Sequence, residues 1–371
     1  MKIFVTGTRG IPDIPGGVES HCQQLYPLIV NQGHQVKISR RKPYVISKLS
    51  SSEINEWEGI KLIDNFSPKK KSIEAIVHTF IAILEAKKWG ADIIHIHAIG
   101  PAIMVPFARL IGLKVVITDH GPDYDRDKWG VLAKFVLRLG EKWGGIFANE
   151  VIVISEVIRS IIKERCHRDS HLIYNGVQIL EKVNSTSYID SLGLHSGNYI
   201  IAVARFVPEK GLHDLIEAYN QSELTCKLVL VGDSDHEDDY SRNLKKMAAL
   251  NSNIILTGYI IGNDLRQIFS HARLFVLPSY HEGLPIVLLE ALSYGLIPLV
   301  SDIPANLEVN INSDYYFHTK NIKNLKDKLI QLWGSEFTKV DRGKLIEFVR
   351  QKYDWQKISE QTIEVYKTVL N

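Results

Sequence analysis

Cysteine is scarce in this chain of 371 residues: Cys22, Cys166 and Cys226 are scattered and odd in number. They offer neither a disulfide framework nor a metal-ligand spacing, which suits a reducing cytoplasm. No apolar run approaches the ~18 residues of a transmembrane helix. The start, Met1-Lys2-Ile3-Phe4-Val5, leads straight into a strand pattern, so no signal peptide is expected. No short tandem repeat is present. Charge of one sign is also missing, because the net charge is only +2, and no nucleic-acid partner is expected.

What remains is a globular composition, 45% apolar and 23% charged. The length is too great for one ordinary core and predicts two domains of roughly 150–200 residues. The charge is unevenly shared. Residues 1–180 carry 24 Lys and Arg against 18 Asp and Glu, and residues 181–371 carry 20 against 24. The first half is therefore mildly drawn to anions such as lipid phosphates, although ordinary surface variation accounts for a bias of this size.

Short Ile- and Val-rich runs alternate with helical patterns along the first half. They fall at Ile3–Gly7, Val36–Arg40, Asp92–Ile96, Val115–Thr118, Val151–Ile154 and Leu172–Tyr174. A polar stretch, residues 181–198, reads as the linker region. A second series follows at Tyr199–Ala204, Lys227–Gly232, Asn253–Thr257, Arg273–Leu277 and Ile297–Ser301. Continuous apolar strands of this kind are buried on both faces, as in parallel sheets covered by helices. The expected architecture is α/β, with two doubly wound Rossmann-like domains at 1–180 and 181–354. Ligands are expected at the carboxyl ends of the strands, in the interdomain cleft.

Four loops hold groups that could carry chemistry. The first is Gly7-Thr8-Arg9-Gly10-Ile11-Pro12-Asp13-Ile14-Pro15-Gly16-Gly17, between a strand and a helix. Gly16 and Gly17 let backbone approach a ligand, and the helix offers free amides. Its start is similar to the dinucleotide loop of extended short-chain dehydrogenases, and Arg40 and Arg41 would suit an NADP phosphate. Asp13, however, takes the third glycine position of that fingerprint. A plain structural turn is a further reading. The second loop is Thr118-Asp119-His120-Gly121-Pro122-Asp123, where His120 could donate to a sugar hydroxyl or a carbonyl and Asp123 could hold an acceptor hydroxyl.

The third is Ala204-Arg205-Phe206-Val207-Pro208-Glu209-Lys210-Gly211, whose two cations could straddle a diphosphate. The fourth is Ser279-Tyr280-His281-Glu282-Gly283-Leu284-Pro285-Ile286-Val287-Leu288-Leu289-Glu290-Ala291, with two carboxylates eight residues apart. Glu290 is expected about two turns into a helix that starts near Leu284. The amides of Leu284, Ile286 and Val287 would then be free to bind an anion. Solvated side chains are the ordinary alternative at each of these positions.

The fourth block resembles the Glu-x7-Glu signature of the retaining glycosyltransferases of family 4, which have the GT-B fold. The third resembles that family's Gly-Arg-x-x-x-x-Lys-Gly, with Ala204 in place of the glycine. Gly-x-x-Gly-Ile-Pro followed by Gly-Gly-x-Glu, together with Asp125-Arg126-Asp127-Lys128-Trp129, is similar to a rhamnosyltransferase-like subgroup. The resemblance implies a nucleoside-diphosphate sugar as donor, with no metal and no other cofactor. It places Arg205 and Lys210 on the leaving diphosphate, with the amides after Gly283. It places Glu282, His120, Gly16 and Gly17 on the donor sugar, Glu290 on the ribose and Tyr259 at the base. It also implies a lipid-diphosphate-linked glycan acceptor, surface-polysaccharide synthesis, and a C-terminal helix, residues 355–371, that crosses back onto the first domain. A sugar-nucleotide epimerase on the same fold and an NADP-dependent oxidoreductase are the alternatives.

One further pattern is amphipathic. Trp129, Leu132, Val136, Leu139 and Trp143 share one helical face, with Lys134, Arg138 and Lys142 roughly opposite. Lys69-Lys70-Lys71 opens another helix that Lys87-Lys88-Trp89 ends. Two readings stand: an ordinary core face with a solvated one, or a helix at an anionic membrane surface. The second would make the protein peripheral on the inner face of the plasma membrane.

Overall fold

Runs of β-branched residues with apolar neighbours on both sides become parallel strands, and the polar segments between them become helices and turns. A computed structural model describes residues 1–46, 55–68, 73–122, 124, 130–234, 237–336 and 338–371. The chain forms two units. Unit 1 comprises Met1–Gly176 with Asp354–Asn371, and unit 2 comprises Val177–Tyr353.

The strands of unit 1 are β1 (Lys2–Thr6), β2 (Gln35–Arg41), β3 (Glu56–Trp57), β4 (Ile60–Asn65), β5 (Ile93–His97), β6 (Val115–Asp119), β7 (Glu150–Val153) and β8 (His171–Leu172). They lie in the order β3-β4-β2-β1-β5-β6-β7-β8. Every pairing is parallel except that of β3 with β4. Unit 2 has β9 (Tyr199–Val203), β10 (Lys227–Val231), β11 (Ile254–Gly258), β12 (Leu274–Leu277), β13 (Ile297–Ser301) and β14 (Tyr316–Phe317). Their order is β11-β10-β9-β12-β13-β14, all parallel. In each sheet the strand order reverses beside the first strand, between β1 and β5 and between β9 and β12. Loops after these strands diverge to opposite faces, and the crevice between them is where doubly wound sheets bind ligands.

The helix Trp355–Leu370 belongs to unit 1 and packs on the helix Gly17–Asn31. Trp355, Ile358, Tyr366 and Val369 share one core with Cys22, Leu25, Tyr26 and Ile29. Gln32 Nε2 donates to Ser359 Oγ at 2.8 Å across this contact. The approach at Gly176 is so close that a Cβ there would lie 2.4 Å from the Trp355 ring. Unit 2 has its own core around Ile200, Leu228, Leu274, Leu299 and Leu325. No described helix is long and apolar enough to cross a membrane.

The helix Val131–Phe147 corrects the sequence reading of its core face. Its buried residues are Leu137, Gly140, Glu141, Gly144 and Gly145, whereas Leu132 is 78% exposed and Val136, Leu139 and Trp143 are half-buried. Glycine explains the difference. A Cβ at Gly140 would lie 2.1 Å from the Ile99 carbonyl oxygen, and one at Gly145 would lie 2.4 Å from Cys166 Sγ. The helix therefore docks closely through its glycines, with Leu137 and Glu141 beside them, and leaves Leu132 outside. Glu141, buried with them, accepts from the Tyr124 hydroxyl at 2.8 Å and pairs with Arg165 at 3.2 Å. Trp129 and Lys69-Lys70-Lys71 lie outside the described residues.

Candidate functional site

In unit 2 the two loops read from the sequence are tied together by backbone. The Tyr280 amide donates to the Glu209 carbonyl at 2.8 Å. Gly211, at φ +61°, sits so tightly that a Cβ would lie 2.2 Å from the Pro278 carbonyl oxygen. Both the left-handed φ and the contact require glycine there. Tyr280 fixes the next turn by donating from its hydroxyl to Asp214 Oδ2 at 2.6 Å. The result is an ion pair. Lys210 Nζ meets Glu282 Oε1 at 2.5 Å, and both side chains are largely withdrawn from solvent. The sequence reading gave these two residues separate partners, and the structure shows that they also hold each other. Arg205 is half-buried in the loop that follows β9.

The helix that carries Glu290 begins later than expected. It spans Ile286–Ser293, with Pro285 as its N-cap. Glu290 is thus just over one turn in, not two. Leu284 precedes the cap and is not a first-turn amide. Proline at the N-cap, unable to continue a helix backwards, sets the boundary. The amides of Ile286 and Val287 have no partner among the described residues, while that of Leu288 bonds to the Pro285 carbonyl at 3.1 Å. The Glu290 carboxyl has no hydrogen-bond partner among the described residues, and burial pushes its pKa up to about 7. A partly buried carboxylate with no donor of its own gains from a ligand that brings hydroxyl donors. Tyr259, one residue past β11, is 47% exposed.

In unit 1, Gly7 abuts β5: a Cβ there would lie 2.1 Å from the His97 carbonyl oxygen. Gly16 is the N-cap of the helix Gly17–Asn31, at φ +148°. A side chain at Gly16 would collide with the Glu19 carboxyl, whereas Gly17 faces open space. Glu19 is buried and ties the loop down, accepting from the Arg9 amide at 2.8 Å and the Thr8 hydroxyl at 3.1 Å. Arg40 and Arg41 are not available to a cofactor phosphate in the way the dinucleotide reading needs. Arg40 pairs with Asp64 at 2.6 Å and Arg41 with Glu74 at 3.0 Å, and both guanidinium side chains are buried.

His120 follows β6, where Asp119 Oδ1 accepts from the Gly121 amide at 2.8 Å and shapes the turn. It does not stand alone. Its Nε2 lies 3.0 Å from His97 Nδ1, and its ring meets that of His21 edge-on at 5.0 Å. His21 Nδ1 lies 2.9 Å from Asn175 Oδ1. Burial lowers all three imidazole pKa values, that of His21 to about 4, so the rings are neutral at pH 7. Among the described residues this is the one group with the spacing to hold a metal ion, its donor nitrogens lying within 4.8 Å of one another. Two of those nitrogens, on His97 and His120, face each other in the 3.0 Å hydrogen bond. The sequence reading missed His21, His97 and Asn175. The available signal was His95-x-His97 in β5, two imidazoles on the same face of a buried strand. Asp123 lies outside the described residues.

Residues 15–179 match the family model Glycosyltransferase Family 4, and residues 185–351 match Glycosyl transferases group 1. An uncharacterized glycosyltransferase of Methanocaldococcus jannaschii is 25% identical over all of this chain and 99% of its own. The UDP-Gal:alpha-D-GlcNAc-diphosphoundecaprenol alpha-1,3-galactosyltransferase of Escherichia coli is 26% identical over 82% of this chain and 81% of its own. Among solved structures, the sucrose-phosphate synthase of Thermosynechococcus elongatus aligns with a TM-score of 0.83 at 19% identity, covering 99% of this chain and 98% of its own. Anabaena HepE in complex with UDP and glucose aligns with a TM-score of 0.80 at 18% identity, covering 99% of each chain. With one matched family in each sheet-bearing unit, the chain belongs to the family 4 and group 1 glycosyltransferases and has the GT-B fold.

Proposed function

We propose that the protein moves a hexosyl or deoxyhexosyl group, with retention, from a nucleoside-diphosphate sugar to a hydroxyl of a lipid-diphosphate-linked glycan. The observation that carries this is the Lys210–Glu282 pair, backbone-locked in one unit with Arg205, Glu290 and the Ile286 and Val287 amides, which have no partner among the described residues. Lys210, Arg205 and those amides are assigned to the departing diphosphate. Preorganised cations and N–H groups stabilise such charge without rearranging. In this proposal they do the work that a divalent metal does in other transferase folds. Glu282, His120, Gly16 and Gly17 are assigned to the sugar, Glu290 to both ribose hydroxyls and Tyr259 to the base. The leaving diphosphate itself takes the acceptor proton, and no general base is named.

Relatives support the acceptor class. The galactosyltransferase named above acts, by its name, on a diphosphoundecaprenol-linked sugar, as does an N-acetylgalactosaminyltransferase of Campylobacter jejuni that is 24% identical over 64% of this chain. An acceptor of that kind sits at a membrane, which supports a site of action on the inner face of the plasma membrane. The exposed face of the helix Val131–Phe147 suits this. Val131, Leu132 and Phe135 are 89%, 78% and 61% exposed, and Arg138 and Lys142 are exposed with them. Apolar side chains interleaved with cations favour an anionic bilayer surface.

The deciding experiment incubates the protein with a panel of UDP-, GDP- and dTDP-sugars and a synthetic polyprenyl-diphosphate glycan, with the product's anomeric configuration read by NMR. An inverted product would remove the retaining assignment. Sugar turnover without any acceptor would favour the epimerase alternative. Flotation with anionic liposomes at low salt addresses the surface. Failure to float, or floating unchanged by Leu132→Ser with Phe135→Ser, would remove the membrane assignment.

A further inference from the structure

A line of buried polar rings runs from the interior of unit 1 to His120. Tyr26 Oη lies 2.6 Å from His97 Nε2, and His97 Nδ1 lies 3.0 Å from His120 Nε2. Beside it, Tyr366 Oη lies 2.6 Å from His95 Nδ1, and His95 Nε2 lies 2.7 Å from Thr118 Oγ1. The rings come from β5, the loop after β6 and the helices Gly17–Asn31 and Trp355–Leu370. Tyr26, Tyr366, His95 and His97 are essentially inaccessible to solvent. Burial holds both phenols protonated and the imidazoles of His95, His97 and His120 neutral. The line therefore carries no charge, and its only freedom is the direction in which its protons point.

A neutral imidazole has one donor nitrogen and one acceptor. Each contact in the line thus fixes the next. Bonds donated by a hydroxyl are shorter, near 2.7 Å, than those donated by N–H, near 2.9–3.0 Å. Both phenol contacts, at 2.6 Å, have the hydroxyl-donor length. His95 stands between two contacts of hydroxyl-donor length, Tyr366 at Nδ1 and Thr118 at Nε2, and as a neutral ring it accepts only one of them. Either way its Nδ1, filled by Tyr366 or itself protonated, takes no proton from Tyr26 at 2.9 Å. The Tyr26 proton goes to His97 Nε2. His97 must then carry its proton on Nδ1 and donate to His120 Nε2, at an N–H length of 3.0 Å. His120 is left with its proton on Nδ1, a nitrogen with no partner among the described residues.

We infer that Tyr26 and His97 are positioning residues that hold His120 as its Nδ1–H tautomer, so that it meets a ligand oxygen as a hydrogen-bond donor and not as a base. This rests on the assignment of His120 to the donor sugar. It adds the reason that the acceptor proton has to leave by way of the diphosphate: the nitrogen of His120 that is not bonded to His97 is already protonated. Had the line pointed the other way, His120 would present a lone pair, and the same ring would be a base.

The test is heteronuclear NMR of the full chain labelled with 15N-histidine, which distinguishes the protonated from the unprotonated nitrogen of each neutral ring. The wild type is expected to show His120 protonated on Nδ1 and bare on Nε2. Tyr26→Phe removes the proton that sets the direction, so His120 should become a mixture of tautomers. With donor and acceptor, Tyr26→Phe should lower kcat about tenfold with little change in donor KM, the loss of an interaction made mainly in the transition state. A wild-type His120 protonated on Nε2 overturns the inference on its own, whether or not any variant folds. So does a tautomer unmoved by Tyr26→Phe. If the tautomer moves while His120→Ala transfers normally, the assignment of His120 to the sugar fails and the proton line stands.

Discussion

The two units place their polar groups in the same topological position, beside the reversal of strand order, and hold them by opposite means. Unit 2 uses charge: Lys210 against Glu282, and a half-buried Glu290 whose pKa burial raises to about 7. Unit 1 uses neutral rings: His21, His97 and His120, each with its imidazole pKa lowered by burial. A charged site can be switched by pH and by the arrival of an anion. A neutral, hydrogen-bonded one responds to neither over the physiological range, and fails instead when its packing or its proton order fails. The contrast suits the proposed division, in which the second unit meets a diphosphate and the first meets hydroxyls.

Removing packing beneath the neutral site should have the largest effect. Trp355, 5.3 Å from the His21 ring and packed on Gly176, fills the base of unit 1. Trp355→Ala should destabilise the protein by about 3–5 kcal/mol, the range for deleting a buried aromatic, with denaturant unfolding as the readout. A loss below about 1 kcal/mol would show that the cluster does not depend on that contact.

The next effect belongs to Glu290. Its folded pKa of about 7 stands above the ordinary value of 4.5, so the folded state holds the proton more tightly. The associated stability is fully present below the unfolded pKa and is lost as pH rises from there to about 7. Glu290→Gln should therefore raise stability at pH 8 by up to about 3 kcal/mol and change little at pH 4. Equal shifts in Tm at the two pH values would contradict the burial account.

Lys210→Ala and Arg205→Ala should each lower transfer by ~10²-fold or more, the scale of removing one preorganised stabiliser. Lys210→Ala also leaves Glu282 without its described cation. Near-normal kcat in either variant would remove that cation from the diphosphate. Smallest is a pH effect on donor affinity. In the proposed assignment ribose hydroxyls donate to the ionised Glu290 carboxylate, so donor KM should rise about tenfold from pH 8 to pH 6. Glu290→Gln should flatten that profile, and a wild-type profile that is already flat argues against the ribose assignment.

Much of this arrangement was legible because it is local. Apolar runs gave eleven strands to within a residue or two, and the Arg205–Gly211 and Ser279–Ala291 blocks announced themselves by charge at fixed spacing. Three kinds of feature were not legible. The strands β3, β4 and β14 are short or lie toward a sheet edge, where polar residues such as Glu56, Lys61 and Asp64 break the apolar signal. The buried face of Val131–Phe147 is written in glycines, which hydrophobic periodicity cannot see. The histidine line is long-range: Tyr26 and Tyr366 reach His97 and His95 over 71 and 271 residues of sequence. Only the folded sheet brings them together, and a lone His in a strand gives no hint of its partner.

The helix Trp355–Leu370 has a consequence for the order of events during synthesis. Unit 2 is complete in sequence by Tyr353, before that helix has been made. Unit 1, begun at the amino end, has to wait for it. While the ribosome translates the intervening residues, the Gly17–Asn31 helix emerges with Cys22, Leu25, Tyr26 and Ile29 uncovered on the side the late helix will fill. The first unit to be translated is then the last to be finished, and a nascent chain arrested before residue 355 would carry a sticky, chaperone-attracting stripe that the released protein has hidden.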